Sequence, residues 1–365
     1  MLTPVAKLTA ELVALDSRSF VSNLAVAERV EAALAGFEVE RLDYLDANGV
    51  AKRCLVAHRG PLGGYALSGH MDTVPDTGWT DNPWDPRVDS AGVMHGLGSV
   101  DMKGPVAACI LAAQAVGPHV PATLLITTDE ETTKQGARAV AASDAARRLG
   151  LKGIIVAEPT GLRPVRGHRS SVNMVATAKG VQAHSSTGQG LNANWALIPF
   201  LAEMKAIYEK LRHDPALHDT AYDPVFSDFN LVIDNHGTAV NVNAALATCR
   251  IKFRYSRSQD PKPILAAVQA AAERAGLALD LRPEGTPPEL PASHPLIKLA
   301  EGLTGHAAST VPFGTDASEL QEIAPCVILG PGGIETAHTP YECVAVAALE
   351  DAVALFRRCL EQGVA

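Results

Sequence analysis

The sequence predicts an α/β protein in which a layered domain is interrupted by a smaller α+β domain. Short apolar runs typical of buried strands alternate with helical patterns over residues 1–165 and again over 283–365. Between them, residues 166–282 follow the order strand, helix, strand, strand, helix, strand, which suits a four-stranded sheet with two helices. A Pro-rich stretch, residues 283–295, links this inserted domain to the last part of the chain.

The elements of the larger domain follow from apolar periodicity and from Pro and Gly at the boundaries. Pro105 suits the first turn of a helix, because the N–H that proline lacks would have no partner there. The predicted helices are 4–15, 23–34, 105–116, 135–148, 295–303 and 344–359. The predicted strands are 38–42, 53–57, 65–67, 121–127, 153–157 and 326–329. We expect a central mixed sheet flanked by helices.

The inserted domain differs from the larger domain in its elements, which are longer strands and two helices. Its predicted strands are 171–179, 230–233, 246–255 and 277–281. Its predicted helices are 191–211 and 261–275. This order predicts a small domain of its own.

The composition limits the partners that the protein would bind. The net charge of the 365-residue chain is −9, and no block rich in Lys or Arg occurs, which argues against nucleic acid or an anionic membrane as a partner. No apolar run reaches membrane-spanning length, and the N-terminal residues lack the apolar core of a signal peptide. The six cysteines lie far apart without a Cys-x-x-Cys pair, so reduced thiols and a cytoplasmic location are expected.

Residues 68–72, Ser-Gly-His-Met-Asp, end a short buried run and are the first residues that indicate a functional site. A strand that ends in His70 presents the imidazole where α/β sheets hold their sites. Imidazole is a good zinc ligand, and a nearby carboxylate such as Asp72 can accept its other N–H and fix the tautomer. Taken alone, His70 is equally well explained as a core histidine at the end of a strand.

Four other loops present carboxylates or imidazole at the ends of predicted buried runs. They contain Asp101, the pair Glu130 and Glu131, Glu158, and His338. With His70 they supply two imidazoles and four carboxylates, whereas two zinc ions need two histidines and three carboxylates if one carboxylate bridges them. The remaining carboxylate can act as general base. Because adjacent residues point in different directions, one glutamate of the pair can bind metal while the other faces a water molecule bound to the metal. An isolated Asp-Glu-Glu run is more often a solvated turn.

Five segments together resemble the motifs of a zinc-dependent hydrolase family that contains acetylornithine deacetylase, succinyl-diaminopimelate desuccinylase, aminoacylase and glutamate carboxypeptidases. The segments are Ser-Gly-His-Met-Asp-Thr-Val-Pro at 68–75, Asp-Met-Lys-Gly at 101–104, Thr-Asp-Glu-Glu at 128–131, Glu-Pro-Thr at 158–160 and His-Thr-Pro at 338–340. The match spans nearly the whole chain in the right order, and it resembles the acetylornithine deacetylase branch most. The resemblance implies a dizinc catalytic domain, with the inserted domain as a lid that also dimerises.

The resemblance also implies a role for each residue of the centre. The ligands are, for one zinc ion, His70, Asp101 and Glu158, and, for the second, Asp101, Glu131 and His338. Asp101 is then the bridging carboxylate, Glu130 the general base, and Asp72 the residue that orients His70. Two Zn2+ ions per chain are expected, with Co2+ as a substitute. The peptide bond between Asp101 and Met102 is expected to be cis.

In the inserted domain, the resemblance points to groups that contact the substrate. Ala-His-Ser-Ser at 183–186 resembles the motif whose histidine, here His184, reaches the partner subunit's site and stabilises the oxyanion. Asn241 and Arg254 fall where the family grips the substrate, and Arg254 suits a free carboxylate. Outside this domain, Gly332 in the run Gly-Pro-Gly-Gly resembles a glycine of the substrate-facing loop, although the run alone indicates only a turn. A homodimer is therefore expected.

The inserted domain departs from the family pattern at several positions. No proline follows the run His-Ser-Ser that begins at His184, and the segment 241–244 lacks the usual proline. Lys252 stands at a commonly acidic position, and Ser170 stands where glycine is common. These departures leave the implied metal ligands unchanged and concern the identity of the substrate.

The expected function is hydrolysis of the amide bond of an N-acyl α-amino acid, with an N-acetyl group, as acetylornithine deacetylase does in arginine biosynthesis. A dipeptidase, a carboxypeptidase or a succinyl-diaminopimelate desuccinylase on the same scaffold is the main alternative. A non-catalytic binding protein is a more distant alternative, because such proteins usually lose ligands or the base, and all six residues of that set are present. A serine hydrolase is not supported, because no Gly-x-Ser-x-Gly run occurs.

Overall fold

The computed structural model describes residues 2–363, and the chain divides into two compact units. The first unit comprises the chain up to Gly167, Pro288–Thr310 and the chain from Thr315 onward. The second unit comprises His168–Pro287 and Val311–Gly314. The second unit differs from the predicted inserted domain, 166–282, because it runs from His168 to Pro287 and also includes Val311–Gly314.

The first unit alternates helices and strands along the chain, and elements are numbered here in chain order through both units. Its helices are α1 (Pro4–Val13), α2 (Leu24–Ala32), α3 (Lys103–Ala115), α4 (Gln135–Ala142), α5 (Asp144–Arg147), α8 (Pro295–Thr304), α9 (Ala317–Leu320) and α10 (Val346–Gln362). Its strands are β1 (Glu38–Leu45), β2 (Ala51–Arg59), β3 (Tyr65–His70), β4 (Arg87–Val88), β5 (Val93–His95), β6 (Ala122–Thr127), β7 (Gly153–Val156), β8 (Val165–His168), β13 (Ser309–Val311), β14 (Cys326–Ile328) and β15 (Cys343–Ala345).

An eight-stranded sheet forms the centre of this unit, in the order β1-β2-β6-β3-β7-β14-β8-β13. Strand β3 pairs in parallel with β6 and β7, and β7 pairs in parallel with β14. Strand β2 pairs antiparallel with β1 and β6, and β8 pairs antiparallel with β14. The predicted mixed sheet is therefore confirmed. Helix α3 is buried along most of its length against α1, α10 and β3, which its Ala-rich sequence allows because small side chains let neighbouring elements approach closely.

Two elements differ from the sequence prediction for local reasons. The predicted helix 135–148 is divided at Ser143, whose backbone is extended and whose Oγ accepts the N–H of Ala146 at 3.2 Å as an N-cap. Strand β3 continues beyond residue 67 to His70, because residues 68–70 stay paired with β6. The short strands β4, β5, β8, β13 and β15 were not predicted, since two to four residues carry no periodic pattern.

The second unit contains a four-stranded antiparallel sheet and two long helices. Its elements are β9 (Ser170–Lys179), α6 (Asn194–His213), β10 (Phe229–Asp234), β11 (Leu246–Tyr255), α7 (Lys262–Arg274) and β12 (Ala278–Pro283). The strand order is β10-β11-β9-β12, and both helices pack on the sheet around Phe200, Phe253 and Val268. Across residues 2–363, no helix combines the length and the apolar character that crossing a bilayer requires.

Candidate metal centre

The residues predicted to bind metal gather at one edge of the sheet in the first unit. Strand β3 ends at His70, β6 ends just before the pair Glu130 and Glu131, and β7 ends just before Glu158. Parallel strands carry their carboxyl ends to the same edge of a sheet, so side chains that follow these strands meet there. The two ligands that remain arrive from loops, Asp101 ahead of α3 and His338 ahead of β15.

Asp101 lies between the two histidines. Its Oδ1 is 3.2 Å from His70 Nε2, and its Oδ2 is 3.2 Å from His338 Nε2. A second carboxylate approaches each imidazole. Glu158 Oε1 lies 3.9 Å from His70 Nε2, and Glu131 Oε1 lies 3.0 Å from the same atom of the other ring. The structure thus brings all five predicted ligands together as two triads that share Asp101, with the donor atoms of each triad within 4.8 Å of one another.

Asp72 is fully buried and connects His70 to the glutamate pair. The His70 Nδ1 atom lies 3.0 Å from the carbonyl oxygen of Asp72 and 3.4 Å from its Oδ1. The same carboxylate accepts the hydroxyl of Ser19 at 2.7 Å and the backbone N–H groups of Glu130 and Glu131 at 3.2 and 3.3 Å. One carboxylate therefore holds both an imidazole and the turn that carries two further carboxylates, which a role limited to His70 would not require.

The electrostatics of the centre call for added positive charge. Burial and the neighbouring Asp101 carboxylate raise the pKa of Glu131 to about 8, and the same two causes raise the pKa of Glu158. Hydrogen bonds to Asp101 and Glu131 raise the pKa of His338 to about 11. Carboxylates and imidazoles are donors that zinc and other divalent cations accept, and two such cations would balance the buried negative charge. The residues present therefore fit a pair of divalent metal ions.

The turn that carries Glu130 is held by two buried lysines. Asp129, in the left-handed region at φ 63°, forms an ion pair with the Lys52 ammonium at 2.9 Å and accepts the hydroxyl of Tyr44 at 2.7 Å. Lys134 Nζ lies 3.7 Å from Glu130 Oε1 and donates to the Thr315 carbonyl at 3.1 Å. Sequence reasoning missed both lysines. The signal for Lys52 was its position directly before the predicted buried strand 53–57, because lysine is rarely buried without partners.

The segment that precedes α3 matches a detail implied by the resemblance. The peptide bond between Asp101 and Met102 is cis. Gly332 in the neighbouring loop has φ 75°, and a Cβ there would lie 2.4 Å from the side chain of Val100. Glycine is therefore required at this position by close packing as well as by backbone conformation.

The predicted substrate-binding residues of the second unit do not form one cluster. His184 lies in an exposed loop that is bridged to Val242, and the Ser185 N–H donates to the Asn241 carbonyl at 3.0 Å. Arg254 lies near the other end of strand β11, where its Nη1 contacts Asp228 Oδ2 at 2.5 Å. Eight residues of extended strand separate the start of β11 from Arg254, a span of roughly 26 Å. Within this unit, His184 and Asn241 therefore lie far from Arg254.

Fold and site together define a metal-dependent hydrolase of the α/β class. The chain belongs to the peptidase family M20/M25/M40, whose model matches residues 66–362. It is 31% identical over 340 residues to the acetylornithine deacetylase of Proteus mirabilis (strain HI4320), a match that covers 89% of this chain and 86% of that protein.

Solved structures of the family share the fold at lower identity. A di-peptidase from Saccharomyces cerevisiae superposes with a TM-score of 0.78 at 13% identity, covering 99% of this chain and 95% of that one. A dinuclear metal-binding M20 peptidase from Bacillus subtilis superposes with a TM-score of 0.63 at 16% identity, covering 98% of this chain and 96% of that one. These similarities confirm the predicted fold and family.

Proposed function

We propose that the protein hydrolyses the amide bond of N-acyl α-amino acids, with N-acetyl as the acyl group and N-acetylornithine as the first substrate to test. The observation that carries the proposal is the Asp101 carboxylate, whose two oxygens face two separate imidazoles beside Glu130. The similarity to proteins named acetylornithine deacetylase supports the substrate class. The alternative is a peptidase on the same scaffold, since the similar structures include a di-peptidase.

In this proposal the two triads hold two zinc ions, with Asp101 shared between them. The set fits because each triad offers one imidazole and two carboxylates, and the donor atoms already lie close together. The ions would supply Lewis acidity, which polarises the acyl carbonyl and favours loss of a proton from water. The M20 peptidase from Bacillus subtilis that binds a dinuclear metal supports two ions rather than one.

Glu130 is the proposed general base. Its side chain is only 10% exposed, and burial raises its pKa, which suits a carboxylate that must accept a proton. The carboxylate takes a proton from the attacking water and passes it to the amine nitrogen as the C–N bond breaks. The contacts support this division of roles, because Glu131 faces His338 whereas Glu130 faces Lys134.

The substrate would be bound by side chains from two subunits. An amino acid is too small to bridge Arg254 and the loop of His184 and Asn241 on the same unit, because roughly 26 Å of strand separates Arg254 from the start of β11, beside which that loop lies. If all three contact one substrate, as proposed, then the loop and the arginine come from different subunits of a homodimer. His184 would then stabilise the oxyanion in the partner's site, while Arg254 binds the α-carboxylate and Gly332 lines the pocket.

The surface of the second unit supports a homodimer. Strand β10 is an edge of the sheet, and its Val232 and Ile233 are 53% and 47% exposed. Trp195 at the start of α6 is 71% exposed. Proteins rarely leave apolar edge strands uncovered, because an open edge can pair with other chains. A second copy of the same chain is the proposed cover.

A panel of substrates tests the proposed function. N-acetyl, N-formyl and N-succinyl amino acids are compared with their methyl esters and with dipeptides that have free amino termini. We expect N-acetyl amino acids to react fastest and their esters to react slowly, because the ester lacks the charge that Arg254 binds. Free-amine dipeptides that outrun every N-acyl amino acid would replace the deacylase by a peptidase.

Two arginines of strand β11 sharpen this test. Arg254→Ala should lower kcat/KM for free acids by about 10- to 150-fold, the equivalent of ~1.5–3 kcal/mol, and should leave the esters unchanged. Arg250→Ala is the matched control, because Arg250 lies on the same strand and is exposed. An equal loss in both variants, or on both acids and esters, would contradict the assigned role.

A further inference from the structure

Glu342 is a buried glutamate that is neither a proposed metal ligand nor the proposed general base. Its residue is 1% exposed, and it lies in the turn between the proposed ligand His338 and strand β15. Its backbone N–H donates to the Thr339 carbonyl at 3.2 Å, and its own carbonyl accepts the Gly96 N–H at 3.2 Å. Strand β15, which starts at the next residue, pairs with β5, which ends just before Gly96. Glu342 therefore lies where two distant parts of the chain are joined.

The Glu342 carboxylate bonds to the backbone of the segment that carries Asp101. Its Oε2 accepts the N–H of Gly98 at 3.0 Å. Its Oε1 accepts the N–H groups of Val100 and Asp101, each at 3.0 Å. Gly98 has φ 84°, and the three N–H groups converge on one carboxylate, as in the small anion-binding concavities that backbone N–H groups can form. The chain fills that concavity with its own carboxylate.

These bonds act on one residue of the metal centre in particular. Asp101 is the carboxylate whose two oxygens lie 3.2 Å from His70 and from His338. The Glu342 carboxylate accepts the N–H of Asp101 and two more N–H groups from residues just before it. These three bonds fix the backbone position from which the Asp101 side chain extends. Glu342 also follows His338 within the same turn, so one side chain sets the distance between the Asp101 segment and the second imidazole.

We infer that Glu342 is a positioning residue that holds Asp101 between the two metal ions. The inference rests on the metal centre of the proposed function. Without the carboxylate, the backbone of residues 98–101 loses three hydrogen bonds, and the bridging carboxylate is free to turn away from one imidazole. Binding of the metal held by His338 should weaken most, because the His338 side chain is 51% exposed whereas that of His70 is 1% exposed.

Two variants and one control test this role. Glu342→Gln keeps the size but replaces one acceptor oxygen by an N–H2 group, which repels a backbone N–H. Glu342→Asp keeps both oxygens but draws them back by one methylene, and it serves if the glutamine variant does not fold. Glu350→Gln on α10 makes the same charge change at an exposed position.

The first measurement needs no metal. Hydrogen exchange of the metal-free protein should show roughly tenfold faster exchange in the peptide that contains residues 98–101 for the two Glu342 variants, and no change for the control. Exchange that stays at the wild-type rate in this peptide would overturn the inference. This result would not depend on whether the wild type binds metal.

The second measurement is Co2+ titration with absorption spectra, together with kcat and KM at saturating metal. We expect one of two Co2+ ions to bind about 10- to 100-fold more weakly in the Glu342 variants, with an altered visible spectrum and a lower kcat at similar KM. A variant with a lower melting temperature but wild-type affinity, spectrum and kcat would show a purely structural role and overturn the inference. A wild-type protein that binds no Co2+ would instead refute the metal centre of the proposed function.

Discussion

The turn that carries Glu130 and the loop that carries His184 are built in opposite ways. The turn is buried and receives side chains from distant parts of the chain, among them Lys52, Tyr44 and Asp72. The loop is exposed from His184 to Leu191, and its side-chain bonds are mostly local, such as those from Ser186 to His184 Nδ1. A group held by buried contacts keeps its geometry within its own unit. An exposed loop keeps one geometry only when another surface packs against it.

The largest expected effect separates the two glutamates of the turn. Glu130→Ala should lower activity by about 10²- to 10⁴-fold or more while two metal ions per chain remain, because only the base is lost. Glu131→Ala should lose metal as well, because it removes a donor of one triad. Metal analysis and steady-state rates measure both. Metal content that falls equally in the two variants would show that the roles are wrongly assigned.

The next effect tests the exposed loop. His184→Ala should lower kcat by about 10²- to 10³-fold, as loss of an oxyanion donor does, and should hardly change the melting temperature because the side chain is exposed. Mixing His184→Ala chains with Glu130→Ala chains under subunit exchange should restore part of the activity, since one site of the heterodimer is intact. If verified heterodimers regain nothing, His184 acts within its own chain or has no catalytic role.

A smaller effect tests how firmly the turn holds its base. Lys134→Met should lower kcat roughly tenfold with little change in metal content, because Glu130 loses the ammonium 3.7 Å away. Lys134→Arg should recover most of the rate, since it restores a cation of similar reach. Lys7→Met, at an exposed position on α1, is the control for loss of a lysine. An unchanged kcat for Lys134→Met would mean that the turn alone positions Glu130.

The sequence was sufficient to predict the family, the mixed sheet and the residues that meet at its edge, because metal donors are few in type and follow buried strands. The residues that support them were missed for a physical reason. Glu342 bonds to Gly98 and Asp101, which precede it in the sequence by 244 and 241 positions. No pattern of neighbouring residues indicates a contact over such a separation. Lys52 and Lys134 belong to a type that is usually exposed, so only the folded structure reveals that their ammonium groups are enclosed.

The position of strand β14 has a consequence for the order in which the chain is made. Strand β14 lies between β7 and β8 in the sheet, yet it is synthesised only after the contiguous part of the second unit, His168–Pro287, is complete. Until Cys326–Ile328 leaves the ribosome, β7 and β8 lack the neighbour that joins them, and His338 follows later still. The emerging chain therefore carries open strand edges at β7 and β8, a hazard for aggregation, and acquires the last of its proposed metal donors only when His338 has been made.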